Sequence, residues 1–139
     1  MLAEPCTPEH VRPARQQIAA SGPHHVVAYN VASVHDDPAV AIADARPTVQ
    51  WIGEPDWAPP VRPLAFGEEL AALRARCVSP AEFALKLPDV WVSQLALAGT
   101  PDAVRARLDE LADSRVASSV LIPASPRPLA ALENLARVL

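Results

Sequence analysis

Gln94-Leu-Ala-Leu-Ala-Gly-Thr-Pro-Asp-Ala-Val-Arg-Ala-Arg-Leu-Asp-Glu-Leu-Ala-Asp-Ser-Arg-Val-Ala-Ser-Ser-Val-Leu-Ile-Pro123 decides the fold. Leu95 to Ala98 is an apolar run long enough for a buried strand and too short for a helix. Gly99 interrupts it, Thr100 offers a capping hydroxyl, and Pro101 suits a first helical position, where a missing N–H costs nothing. Asp102 adds a negative charge to the first turn, favourable to the helix dipole. Val104, Leu108 and Leu111 then recur at helical spacing, with Arg105, Asp109 and Asp113 turned outward. A second β-branched run over 116–122 closes at Pro123. The pattern predicts a βαβ unit with two parallel strands and a right-handed crossover.

Working outward, residues 24–34 form the longest strand candidate, rich in valine and uncharged between His25 and His35, as expected of a strand covered on both faces. Thr7-Pro8-Glu9 opens a helix to about residue 20, with Pro13 expected to kink it or delay its start. Asp36-Asp37-Pro38 opens another through Trp51, with a kink at Pro47. Phe66, Leu70, Leu73 and Cys77 line one face of a helix over 67–77. Ser79-Pro80-Ala81-Glu82 reads as a capping box, and Pro88-Asp89 begins a further short helix. A terminal helix over 128–139 is predicted to turn Leu129, Leu132, Leu135 and Leu139 inward. Residues 1–5 are a strand stub or a ragged end. Between these elements, residues 53–66 form a proline-rich insertion loop, predicted to lack regular structure and to act as a lid.

The totals fit this plan. The chain has 139 residues, half of them hydrophobic and 20% charged, which is the composition of one globular domain over 1–139. A net charge of −4 without an arginine cluster argues against a nucleic-acid partner. No stretch approaches the ~20 apolar residues of a membrane span. Two distant cysteines exclude a disulfide framework and point to a reducing, cytoplasmic compartment. Strands alternate with helices, so the fold class is α/β with about three parallel strands.

Three passages resemble the carboxyl-terminal part of the luciferase-like monooxygenases: Val-Val-Ala-Tyr-Asn-Val-Ala-Ser-Val-His-Asp-Asp-Pro over 26–38, Leu-Ala-Gly-Thr-Pro-Asp-Ala-Val-Arg-Ala-Arg-Leu over 97–108, and Val-Leu-Ile-Pro over 120–123 with the helix that follows. Members of that family are (β/α)8-barrel oxidoreductases that use FMN or the deazaflavin coenzyme F420. The resemblance implies a partial TIM-like (β/α) barrel in which 24–34, 95–98 and 116–122 are strands six, seven and eight. A whole barrel takes ~250 residues. It also implies a flavin-type cofactor and a small-molecule substrate, with hydride or oxygen transfer at the ring. Most of the flavin pocket and the catalytic groups come, in the family, from earlier strands, so no catalytic residue carries over. Three strands with helices on one side would leave a bare apolar face, which predicts a homo-oligomer or a partner half-barrel.

Barrel chemistry sits at the carboxyl ends of the strands, which selects His35-Asp36, Ala98-Gly99-Thr100 and Ala124-Ser125. Gly99 and Thr100 are the cofactor candidates, a helix start that could hold a phosphate on free N–H groups, although capping alone accounts for every residue there. His35, Trp57 and Arg62 are candidates for the substrate pocket; the bland alternatives are a solvated histidine and side chains that pin the loop to the body. Trp51 flanks the same loop, whereas Trp91 reads as helix packing and Cys77 as a buried, inert thiol. His24 and His25, as strand neighbours, would point to opposite faces, so a metal is rejected.

Overall fold

Three parallel strands, β1 (Val27–Val34), β2 (Leu97–Gly99) and β3 (Ser118–Pro123), form one sheet in the order β2-β1-β3. This computed structural model describes residues 2, 4–18, 21–22 and 24–139. β1 pairs with β2 from Ala32↔Leu97 to Val34↔Gly99 and with β3 from Val27↔Ser118 to Ala32↔Pro123. The α/β class and the parallel strands are therefore as the sequence predicts. Their order is not that of a barrel. Strands six, seven and eight of a barrel lie side by side in sequence, whereas here the first strand is central.

The helices explain how that order is reached. α1 (Pro8–Ile18) precedes the sheet, and α2 (Pro38–Ala45), α3 (Ala58–Val61), α4 (Gly67–Ala75), α5 (Pro80–Lys86) and α6 (Asp89–Leu95) lie between β1 and β2. α7 (Pro101–Asp113) joins β2 to β3, and α8 (Pro128–Leu135) follows. Alternate residues of β1 point to opposite faces. Val31, with Ala96 and Ala98 around β2, belongs to a core built with Ala45, Val49 and Phe83. Ala32, Val34 and Leu97 pack the other way, against Val104, Leu135 and Val138. The chain thus crosses one face from β1 to β2 and the opposite face from β2 to β3. A connection that reverses direction along a sheet and keeps its hand must change faces.

That arrangement corrects the expectation of helices on one side only. β1 and β2 are covered on both faces, and only β3 stays bare, with every residue exposed except the half-buried Leu121. Val120 and Ile122 are 37% and 40% exposed, on the face shared with Val31.

Capping chemistry sets the helix starts. Thr7, Asp37, Ser79 and Thr100 each place a side-chain oxygen on a first-turn N–H, of His10, Ala39, Glu82 and Ala103 respectively. Three of these caps match the sequence reading outright. In the capping box, the return bond from Glu82 Oε2 goes to the N–H of Val78 at 2.7 Å, one residue before Ser79. Pro13 lies inside α1, which begins at Pro8 and is not delayed; the predicted end of this helix at residue 20 lies outside the described residues. At Pro47 the α-helix gives way to a 3-10 segment, Arg46–Trp51, because proline has no N–H to return to the preceding turn.

The insertion over 53–66 departs from its prediction. It contains a 3-10 turn, Pro55–Trp57, and the short helix α3. Pro55, Pro59 and Pro60 all fall in first-turn positions, where a missing N–H removes no helical bond. Proline content alone did not forbid helix there. The terminal helix also departs. Ala131, Leu135 and Val138 are buried, while Leu129, Leu132 and Leu139 are exposed, so the inward stripe lies beside the leucine stripe and α8 yields to a 3-10 turn after Leu135.

The amino-terminal segment completes the free edge of β1 beside β2. Leu2 forms a parallel bridge to Ala28, and the Val31 N–H donates to Glu4 Oε2 at 3.2 Å. Asn30, 2% exposed in β1, clamps Cys6 from its side chain: Oδ1 accepts the Cys6 N–H at 2.8 Å and Nδ2 donates to the Cys6 carbonyl at 3.2 Å. Burial raises the Glu4 carboxyl above its ordinary value and pushes the Cys6 thiol up to about 11.

α7 ends in a Schellman motif, with the Arg115 N–H on the Ala112 carbonyl and the Val116 N–H on the Leu111 carbonyl. Leu111 and Val116 pack together in the core beneath it. The motif requires a left-handed residue, and Arg115 supplies it at φ 69°. Arg115→Gly is therefore expected to stabilise the chain by roughly 0.5–1 kcal/mol, since glycine adopts that conformation without the Cβ penalty. A lower urea midpoint for the variant would contradict this.

Candidate functional site

The carboxyl ends of β1 and β3 are where the chain diverges, because β1 leaves over one face into α2 and β3 over the other toward α8. Open parallel sheets bind ligands at such a switch point. A crevice of about 20 Å³ lies there, lined by Ser33, His35, Asp44, Ser125, Arg127 and Asn134 among others. Ser33 is buried within β1 and Asp44 comes from α2, while Asn134 comes from α8.

Local bonds fix the histidine. The His35 N–H donates to the Gly99 carbonyl at 3.1 Å, extending the β1–β2 pairing by one residue. Its ring Nδ1 accepts the Asp37 N–H at 3.0 Å, which leaves the neutral ring with its proton on Nε2. The imidazole is thus oriented by a backbone amide, not by a carboxylate as in an acid–base relay. Asp36 is exposed and pairs with Arg137; the hydrogen bond from that guanidinium holds its carboxyl below the usual range. Ser125 Oγ accepts the Arg127 N–H at 3.2 Å, a tight turn that carries Arg127 to the crevice. The resulting set can hold a small polar group by hydroxyl, amide, imidazole and guanidinium.

A tricyclic flavin or deazaflavin ring does not fit inside a crevice of about 20 Å³, since pockets for such ligands run to several hundred Å³. In the turn at Gly99 and Thr100, two of the first-turn amides serve the helix itself. Thr100 Oγ1 takes the Ala103 N–H, the Val104 N–H goes to the Thr100 carbonyl, and Pro101 has none. A Cβ at Gly99 would sit 3.4 Å from the Ala103 Cβ, an ordinary contact. The capping reading describes this turn.

Of the proposed pocket residues, the structure places only His35 at the crevice. Trp57 is half-buried against the Val31 core, and Arg62 is exposed at the end of α3. Trp91 stacks on Phe66 with ring centroids 4.9 Å apart, and Cys77 is buried with its thiol donating to the Leu73 carbonyl at 3.2 Å, both as the sequence suggests. His24 and His25 precede the strand and are exposed, and a ring nitrogen of His25 bonds the Ser118 hydroxyl at 3.0 Å. Sequence reasoning missed Asp44, Arg127 and Asn134, which sit in helix or turn positions that carry no motif. Among the described residues, no cluster of three metal-ligating side chains is present, and no helix is long and apolar enough to cross a membrane.

The chain matches no family model, no curated protein and no solved structure.

Proposed function

We propose that this chain is the carboxyl-terminal portion of a luciferase-like oxidoreductase dependent on FMN or coenzyme F420, furnishing the wall of a substrate pocket and not the cofactor-bearing floor. The observation that carries the reading is the polar crevice at the carboxyl ends of parallel strands, lined by His35 from one of the passages that resemble the family. The redox half of the reading rests on the resemblance alone. The strand order β2-β1-β3, with both later strands paired to β1, weighs against the barrel part of the reading. His35 and Ser125 would contact the substrate at the crevice, and no residue of the insertion lines that crevice.

The alternative is a non-catalytic module that self-associates or completes a partner half-barrel. It is favoured by β3, whose apolar Val120 and Ile122 lie exposed on an edge strand. One titration separates the two. FMN and F420 are added to the purified chain while tryptophan fluorescence is followed. Weak, saturable quenching in the high-micromolar range is expected of a partial pocket. No binding of either compound, with a native circular-dichroism spectrum, would leave only the module.

A further inference from the structure

A second hollow, which shares no lining residue with the crevice, lies where the proline-rich insertion folds onto α4. It encloses about 420 Å³, within the ordinary range for small-ligand sites. Its walls are apolar, contributed by Ile52, Pro55, Val61, Leu70 and Ala71 among others. The polar groups at its rim are Glu54 and Arg74, and their geometry is fixed. Arg74 Nε and Nη2 both bond Glu54 Oε1, at 2.8 and 2.6 Å, while Nη1 holds the Cys77 carbonyl at 3.1 Å. Glu54 Oε2 has no partner among the described residues. Both side chains are only partly exposed, at 31% for Glu54 and 21% for Arg74.

Gly53 allows this arrangement. A Cβ there would lie 2.8 Å from Phe83 Cζ and 2.9 Å from Arg74 Cγ, so the insertion seats against the core only through a residue without a side chain. The hollow is therefore walled by a segment held in place at its base, with one carboxylate oxygen open to a donor.

We propose that this hollow binds a neutral, ring-sized apolar molecule carrying a single hydrogen-bond donor, such as a phenol or an aromatic alcohol. The apolar walls take the ring, and Glu54 Oε2 accepts the hydroxyl. Charge decides the class. Arg74 already neutralises Glu54, so an ammonium would meet the guanidinium and a carboxylate would meet the open oxygen, whereas a neutral donor meets neither penalty.

The probes are phenol, its methyl ether anisole, and benzylamine, titrated into the chain by calorimetry and followed by amide chemical shifts. Phenol is expected to bind about tenfold more tightly than anisole, the worth of one hydrogen bond, and more tightly than benzylamine. Shifts are expected at Gly53 and in α4. Ala71→Phe, at an exposed helical position on the wall, is expected to weaken phenol by at least about tenfold with an unchanged spectrum. Ala75→Leu serves where that variant does not fold, with the same expected loss. Equal affinity for phenol and anisole, tighter binding of benzylamine, undiminished binding by the filled variant, or no binding of any probe would each overturn the proposal.

Discussion

Asn30→Ala is expected to destabilise the chain by about 3 kcal/mol in urea denaturation. The substitution removes both bonds that hold the Cys6 peptide, in a site where Asn30 is 2% exposed and Cys6 equally so. The net worth of two ordinary hydrogen bonds is smaller than this. The larger figure arises because both bonds lie in a buried site, where the loss of a hydrogen bond adds a desolvation cost of roughly 1–3 kcal/mol for each group involved. Asn30→Asp sharpens the test. Its carboxylate still accepts the Cys6 N–H but faces the Cys6 carbonyl, which needs a donor, so burial and that carbonyl raise its pKa in the folded state above the unfolded value. A group raised in this way contributes most below its unfolded pKa and loses that contribution as pH rises through the folded one. The loss in Asn30→Asp should therefore shrink on acidification, whereas that of Asn30→Ala relative to the parent chain should not follow this titration. A cost below about 1 kcal/mol for Asn30→Ala would show the clamp to be dispensable.

Phe83→Ala should cost about 4 kcal/mol, the usual range for emptying a fully buried aromatic position. Gly53→Ala should cost about 1–3 kcal/mol by overpacking, since its Cβ would press on the Phe83 ring and the Arg74 stem. The two effects are expected not to add. With the Phe83 ring gone, the added methyl meets only Arg74 Cγ, the movable part of a long side chain, and the cost of Gly53→Ala should fall to less than about half. Additive losses in the double variant would mean that the insertion does not seat on Phe83.

How much of this was legible beforehand depends on the range of the interactions. The helix starts at Thr7, Asp37, Ser79 and Thr100 could be read because a cap involves a side chain and an amide two or three residues away. The parallel strands were legible from the alternation of apolar runs with amphipathic helices. Strand order was not, because the pairing of Tyr29 with Val120 is decided by which edge of β1 the late strand reaches, and neither residue encodes that choice. Asn30 looked like an ordinary member of a valine-rich strand, and its role depends on a peptide 24 residues earlier. At the site, His35 was found because strand ends in parallel sheets carry chemistry. Asp44 and Asn134 were not, since helix periodicity marks such positions only as solvent-facing. Trp57 and Arg62 were chosen for their chemistry without knowledge of where the insertion folds, and it folds onto α4 with neither residue lining the crevice.

The placement of β1 at the centre bears on how the molecule assembles. β1 precedes both strands it binds, and β3, which supplies six of its paired residues, lies near the end of the sequence. Contacts between such distant segments form slowly, because a long loop must close before the pairing rewards it. During synthesis the Val-Ala-Tyr-Asn-Val-Ala-Ser-Val ribbon therefore spends its time with one long edge unoccupied. Crowding of nascent chains, more than heat or denaturant applied to the finished protein, should govern the yield of native material.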